Sequence, residues 1–372
     1  MKRRGKLKTL IVMLNKLVNS DLSFNKLRAI QKLAFGYLKT NLLRKYSIQY
    51  IEIMTTYACN ARCKHCSNEK YAQKRNKGLL TKEKVEDIIH EISGMGVPVI
   101  IFLGGEPMLD ENIFRYVQLT HESGMLPMIA SNGQVFTRES LIRLKDAHVD
   151  TVSVTIYSTK PEINAAITGL EDYLKRALQT IVWGQELGLK MALKTVVDKS
   201  YFTSGEIYKI IDLACALDVF LSINPMIPTG AAHNKASDEL MDQNCRDELE
   251  TICAENDFIT THFTSNYFGY GCPAGKAYMG VTPYGDVLGC YFVPVAFGNV
   301  WDSTLREIND RITKTKLFSK IYGGCPAAYD SRVIAKYICP CFDDITINSG
   351  LPVDVEKHPA FDAENDKLRD VD

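Results

Sequence analysis

"IQYIEIMTTYACNARCKHC", Ile48 to Cys66, joins an apolar, β-branched run to three cysteines in C-x3-C-x2-C spacing, Cys59, Cys63 and Cys66. The run predicts a strand over Ile48–Met54. The three thiols then fall in the loop at that strand's C-terminal end. Further strands are expected at Val97–Leu103, Met125–Ala130, Val152–Tyr157, Met191–Val197 and Val219–Met226. Apolar residues at helical spacing lie between them, over Lys82–Ile92, Asn112–His121, Arg138–Lys145, Asp172–Glu186 and Gly205–Leu217. Thr81 reads as an N-cap, with Lys84 where a capping box would carry Glu. Strands alternating with helices imply a parallel sheet with right-handed crossovers, closed or partly closed. In such barrels ligand and catalytic groups gather where the strands end, which is where the thiols sit.

The rhythm changes after Pro228. Residues 229–256 read as helical and polar. Asp257–Phe342 is rich in Gly, Pro, Tyr and Cys and shows no βα alternation. The expected architecture is α/β: a partial (βα)6 TIM-like barrel over 48–228, a helical connector over 229–256, and a smaller Cys-rich domain over 257–345. A basic helical extension, 1–47, precedes these, and an acidic tail, 346–372, follows.

The chain has 372 residues, 46% hydrophobic and 24% charged, enough for a sizeable core. Its zero formal charge is unevenly spread. Residues 1–50 hold twelve Lys or Arg against one acid, Asp21, so the first fifty carry +11 and the rest −11. No secretory signal or spanning segment is legible, and a cytoplasmic location is expected. In that compartment the eleven cysteines are expected to bind metal or do redox work, not to pair. Structural zinc wants four protein ligands. Three thiolates on one loop suit a [4Fe–4S] cluster with one iron left without a protein ligand.

The array resembles the signature of the radical S-adenosylmethionine (SAM) superfamily. There the residue before the last cysteine is usually aromatic, and here it is His65. "FLGGEPML", Phe102 to Leu109, is similar to the family's G-G-E-P motif at the end of the second strand. The resemblance gives Gly104, Gly105, Glu106 and Pro107 to the SAM amino group, through backbone carbonyls and the carboxylate. "ASNG", Ala130 to Gly133, resembles the family's T-N-G, which places Ser131 and Asn132 by the ribose or the methionine carboxylate. Ser153 matches a ribose-facing serine, although Thr155 stands where the family has an acid, and Lys194 is a candidate to neutralise the SAM carboxylate. The family implies reductive cleavage of SAM to methionine and a 5′-deoxyadenosyl radical, which abstracts a hydrogen atom from the substrate. An enclosing barrel then shields the radical.

"CPAGKAYMGVTPYGDVLGC", Cys272 to Cys290, resembles the opening of the auxiliary-cluster domains called SPASM, or Twitch when shortened. Only Cys325, Cys339 and Cys341 follow, with Tyr322 where the family expects a cysteine. Five thiols support one auxiliary [4Fe–4S] cluster, held by Cys272, Cys290, Cys341 and Cys325 in that order of preference, with Cys339 as the alternate. The spare thiol, Cys339, is a candidate hydrogen-atom donor. Zinc in this region is the alternative.

The resemblance implies an electron donor such as flavodoxin or ferredoxin, and a peptide or small-metabolite substrate undergoing oxidation, epimerisation or bond formation. The apolar and basic spacing of "LRAIQKLAFGYLKTNLLRKY" allows packing on the barrel or weak contact of residues 1–47 with a membrane surface at the cytoplasmic face. That leaves a lipid- or isoprenoid-directed enzyme as one alternative and a non-catalytic Fe–S or zinc protein as another. Nucleic acid is disfavoured, because the acidic excess lies in the body. Tyr291 follows Cys290 where sulfatase-maturing relatives have Asp, which counts against that oxidation.

Overall fold

A computed structural model describes residues 24–43, 46–69, 71, 78–234, 239–261, 271–320, 322, 324–342 and 351–361. Its centre is a run of parallel strands: β1 Tyr50–Met54, β2 Val99–Leu103, β3 Leu126–Ser131, β4 Thr151–Thr155, β5 Met191–Val197 and β6 Phe220–Pro225. Each pairs with the next in chain order. The period of two along each strand sorts residues between two faces. Ile51, Ile53, Ile100, Phe102, Val152, Val154, Leu193 and Leu221 are wholly buried, packed under the helices. Glu52, Leu103, Ala130, Thr155 and Lys194 face the barrel interior.

The helices that cover the sheet follow α1 Phe24–Leu43. They are α2 Lys82–Gly94, α3 Ile113–Glu122, α4 Arg138–Asp146, α5 Pro161–Thr168, α6 Tyr173–Glu186, α7 Lys199–Thr203, α8 Glu206–Ala216 and α9 Gln243–Glu255. Thr81 caps α2, its hydroxyl accepting from Lys84 N at 3.2 Å. The helix α5 was not expected. Its N-terminal Pro161 removes a backbone N–H that a helix start leaves unused, and Gly169 ends it in the left-handed conformation.

The stretch read as a helical connector carries α9, and the segment after it, read as free of βα alternation, departs from that expectation. After α9 the chain makes a further parallel strand, β7 Ile259–Thr261, on β6, so the βα rhythm runs one unit longer. The C-terminal part is also joined to the barrel by backbone pairing. Strand β8 Tyr278–Val281 pairs in parallel with the free edge of β1, and β9 Asp286–Cys290 and β10 Val293–Asn299 continue antiparallel from it. With β11 Val353–Asp354 the result is one eleven-stranded sheet. The helix α10 Leu305–Lys314 starts in a Thr304–Glu307 capping box, and Leu305 N donates to Glu91 Oε1 of α2 at 2.6 Å.

The basic helix α1 lies on the barrel. Lys26 is buried in an ion pair with Asp150 at 3.5 Å, and Asn25 Nδ2 donates to His121 O at 2.7 Å. Among the described residues no helix is long and apolar enough to cross a membrane. Residues 1–23, 343–350 and 362–372, with much of the expected acidic tail, lie outside the described residues.

Candidate active site

At the C-terminal ends of the strands the barrel opens into a cavity of about 760 Å³, within the usual range for small-molecule sites. Cys59, Cys63, His65 and Cys66 line it together with Gly104, Gly105, Ser131, Asn132 and Lys194. The cysteine loop is braced from three sides. Arg62 N and Lys64 N donate to Thr168 O and Ile167 O at the end of α5 (2.9 and 3.0 Å). Gly105 N and Glu106 N donate to Thr56 O and Ala58 O (2.8 and 2.7 Å), and Ala231 N donates to Cys66 O at 2.9 Å.

The two glycines of the G-G-E-P stretch serve this bracing. A Cβ on Gly104 would collide with Thr56 O, and one on Gly105 with the carbonyls of Ala58 and Tyr57. The close approach they permit is that of the cysteine loop. Gly230, which the sequence reading passed over, does the same on the far side. Its φ is +58°, and a Cβ there would strike the Cys66 and Ser67 backbone.

Glu106 lies elsewhere than expected. Its side chain is fully buried and off the cavity wall. Oε1 accepts from Ser131 Oγ (2.7 Å) and Met108 N (3.2 Å), and Oε2 accepts from Asn132 N (2.9 Å). Burial pushes its carboxyl above the usual range while these donors oppose the shift. The carboxylate is thus a strut between the second and third loops. It holds Asn132 so that Nδ2 reaches Asn60 Oδ1 at 2.8 Å and Cys59 Sγ at 3.7 Å. Pro107 is buried in the following 3₁₀ turn, also off the wall. Ser153 faces the interior below the cavity, and its hydroxyl donates to Ile129 O at 3.1 Å. Thr155, two residues on, lines the cavity in its place. His65 meets the Tyr157 ring edge-on at 4.8 Å, and Tyr157 OH donates to Cys63 Sγ at 3.5 Å.

The donor set fits a cationic iron–sulfur centre. Burial raises all three thiol pKa values, Cys66 up to about 11, and for Cys63 and Cys66 the neighbouring cysteines add repulsion. Three thiolates can stand together there only with positive charge between them. Among the described residues no group of three or more His, Cys, Asp or Glu side chains is placed to hold a single metal ion.

Other lining residues were not foreseen. Glu52 on β1 accepts from Tyr278 OH at 2.8 Å through Oε2. Burial raises its carboxyl pKa, with the Lys194 charge and the Tyr278 hydrogen bond opposing. Glu52 and Lys194 share the cavity without ion-pair contact. Asn224 on β6 is buried in the wall, and its Nδ2 has no hydrogen-bond partner. An acid and an amide inside otherwise apolar strands were the signals available. Tyr291 OH donates to Val281 O (2.7 Å) and Glu52 O (3.2 Å). Burial raises its pKa far above the usual phenol range.

The C-terminal cysteines divide. Cys272, Cys290 and Cys325 line one small cavity with Lys276 and Tyr322, and a bridge between Gly271 and Tyr322 draws the two segments together. Burial first, and the neighbouring thiols second, push Cys290 and Cys325 far up. Burial also lowers the Lys276 ammonium to about 8, with the Cys272 thiol opposing. Cys341 was preferred over Cys325 from the sequence, yet it does not line this cavity. It is buried, its Sγ donating to Tyr337 O at 3.5 Å, near the Tyr71 hydroxyl that donates to Tyr291 O. Cys339 is exposed and off the wall of the larger cavity, which removes the geometric basis for a hydrogen-atom donor.

A parallel barrel with three thiols at its mouth and a glycine turn locking their loop is the architecture of enzymes built around an iron–sulfur cluster. The comparisons agree. Residues 53–212 match the radical SAM superfamily model, and 272–326 match the SPASM iron–sulfur cluster-binding domain. The AdoMet-dependent heme synthase of Methanosarcina barkeri is 26% identical over 288 residues, 68% of this chain and 79% of its own length. The GTP 3′,8-cyclase of Aquifex aeolicus is 30% identical over 178 residues, covering 46% and 54%. Among solved structures, Streptococcus suis SuiB bound to its precursor peptide SuiA superposes with a TM-score of 0.59 at 17% identity, covering 78% of this chain and 70% of that one. The chain belongs to the radical SAM superfamily and carries a C-terminal SPASM domain. It is an enzyme whose cofactors are SAM, a SAM-binding [4Fe–4S] cluster and an auxiliary iron–sulfur cluster. The non-catalytic alternative falls with that assignment.

Proposed function

We propose that Cys59, Cys63 and Cys66 hold the SAM-binding cluster, and that the enzyme abstracts a hydrogen atom from a peptide or a small metabolite. When bound, that cluster and SAM supply reductive cleavage to methionine and a 5′-deoxyadenosyl radical. The chain's own residues orient and exclude. The Gly104 and Gly105 backbone and Asn132 sit beside the thiols and form the SAM-facing wall. Glu106 keeps Ser131 and Asn132 in register without touching the ligand. Glu52, Lys194 and Asn224 lie on the strands lining the cavity and offer an acceptor, a cation and an amide donor to the substrate. Cys272, Cys290 and Cys325 hold the auxiliary cluster, with Cys341, and Cys339 as its alternate, the candidates for a fourth ligand. An electron carrier such as flavodoxin or ferredoxin supplies the reductant.

The observation that carries this reading is the meeting of three thiols and the glycine-locked turn on one cavity wall. The peptide option is supported by the shared fold with SuiB, which is bound to a precursor peptide. The small-metabolite option is supported by the heme synthase and the cyclase. The test is anaerobic reconstitution followed by incubation with dithionite, SAM and candidate peptides or tetrapyrroles in deuterated and ordinary form. Deuterium in 5′-deoxyadenosine identifies the substrate class. SAM turnover with no 5′-deoxyadenosine would refute the hydrogen-abstraction reading.

A further inference from the structure

Lys276 is an unexpected residue to find inside a protein. It follows Cys272 by four residues, in the turn where Lys276 N and Ala277 N both donate to Pro273 O (3.0 and 2.8 Å). Gly275 fixes that turn. Its φ is +67°, and its N–H reaches Tyr278 O and Gly289 O at 2.9 and 3.1 Å. The Lys276 side chain is only 2% exposed and ends in the cavity lined by Cys272, Cys290 and Cys325.

No Asp or Glu lines this cavity. Among the described residues the Lys276 ammonium makes no ion pair, and the charge partner facing it is the Cys272 thiol. Burying an ammonium without an opposite charge costs several kcal/mol. A fold that places lysine there gains only if the thiols around it carry negative charge.

We propose that Lys276 is the resident counter-cation of the auxiliary iron–sulfur site and sets its reduction potential. The inference rests on the reading that Cys272, Cys290 and Cys325 are ligands of that site. Reduction adds one negative charge beside the ammonium. In a poorly screened interior the ammonium therefore favours the reduced state over the oxidised one. Net charge and hydrogen bonding around the cysteine sulfurs are the levers by which proteins tune such centres. Lys276 is here a tuning residue, remote from the substrate.

The experiment uses the full chain with Cys59, Cys63 and Cys66 changed to Ala, so that only the auxiliary site loads. After anaerobic reconstitution, iron is counted and a potentiometric EPR titration is run on Lys276, Lys276→Met and Lys276→Arg versions. The expected result is about four irons per chain, with the Met version harder to reduce by at least tenfold, about 59 mV for a one-electron couple. The Arg version should stay close to Lys276. Loss of iron from the Met version alone, with Arg retaining it, would also support a charge role. A fully loaded Met version with unchanged potential overturns the inference while leaving the ligand reading intact. Iron lost equally from Met and Arg overturns it too, because shape and not charge would then matter. No iron in the Lys276 version overturns the ligand reading and the inference together.

Discussion

The replacement Gly105→Ala tests the bracing of the cysteine loop. The added Cβ would press on the carbonyl oxygens of Ala58 and Tyr57. These are backbone atoms, so no rotamer change relieves the contact. The loop must retreat by roughly an ångström to restore van der Waals spacing. That movement stretches the bonds from Gly105 N to Thr56 O and from Glu106 N to Ala58 O, now 2.8 and 2.7 Å. Each is worth about 0.5–1.5 kcal/mol net, and overpacking adds about 1–3 kcal/mol. The expected cost is about 2–6 kcal/mol in urea denaturation, with iron uptake at the Cys59–Cys66 site sharply reduced. Gly94→Ala is the control. Nothing lies within 4 Å of its Cβ position at the end of α2, so it should be neutral or stabilise by up to about 1 kcal/mol. A Gly105→Ala enzyme with wild-type stability and iron content would refute the bracing argument.

Other perturbations separate neighbouring residues. Glu106→Gln removes a charged acceptor from three donors and should cost about 1.5–3 kcal/mol. It should also weaken SAM binding measured by equilibrium dialysis, although the side chain does not reach the cavity. Ser153→Ala should change SAM affinity less than Asn132→Ala does, because the Ser153 hydroxyl is spent on Ile129 O. An equal or larger loss for Ser153→Ala would restore the ribose-facing role. His358 is 1% exposed, accepts from Ala360 N through Nδ1, and pairs with Tyr337 O through Nε2. Burial lowers its pKa from 6.5 to about 4. The neutral form is the one that fits, so its stabilisation is present above pH 6.5 and lost as pH falls toward 4. The full loss is about 3 kcal/mol. Urea midpoints followed over that range should show a decline that His358→Phe flattens.

The barrel was legible because its strands are β-branched runs with helical spacing between them. Met191–Val197 was bounded to the residue, and Thr81 caps as its chemistry requires. The three-residue β7 is too short for any periodic signal. The pairing of β8 with β1, which stacks Tyr278 on Tyr50 at 5.0 Å, depends on segments more than 200 residues apart. No local pattern reports such pairing. The site divides the same way. The thiol spacing and the glycines could be read directly. What the glycines make room for, and which donors occupy Glu106, are properties of how loops meet in space. Preference for Cys341 over Cys325 came from motif spacing, and the fold brings Cys325 to Cys272 through the Gly271–Tyr322 bridge.

The central claim is that Cys59, Cys63 and Cys66 hold a cluster on which SAM binds and is cleaved. The most direct measurement is low-temperature EPR of the reduced, reconstituted chain with and without SAM, paired with quantification of 5′-deoxyadenosine. The same measurement is made on the version with the three cysteines changed to Ala. The expected result is a cluster signal that SAM perturbs, with 5′-deoxyadenosine formed, and both absent from the triple variant while the auxiliary signal remains. A SAM-perturbed signal and 5′-deoxyadenosine that persist without those three thiols would contradict it.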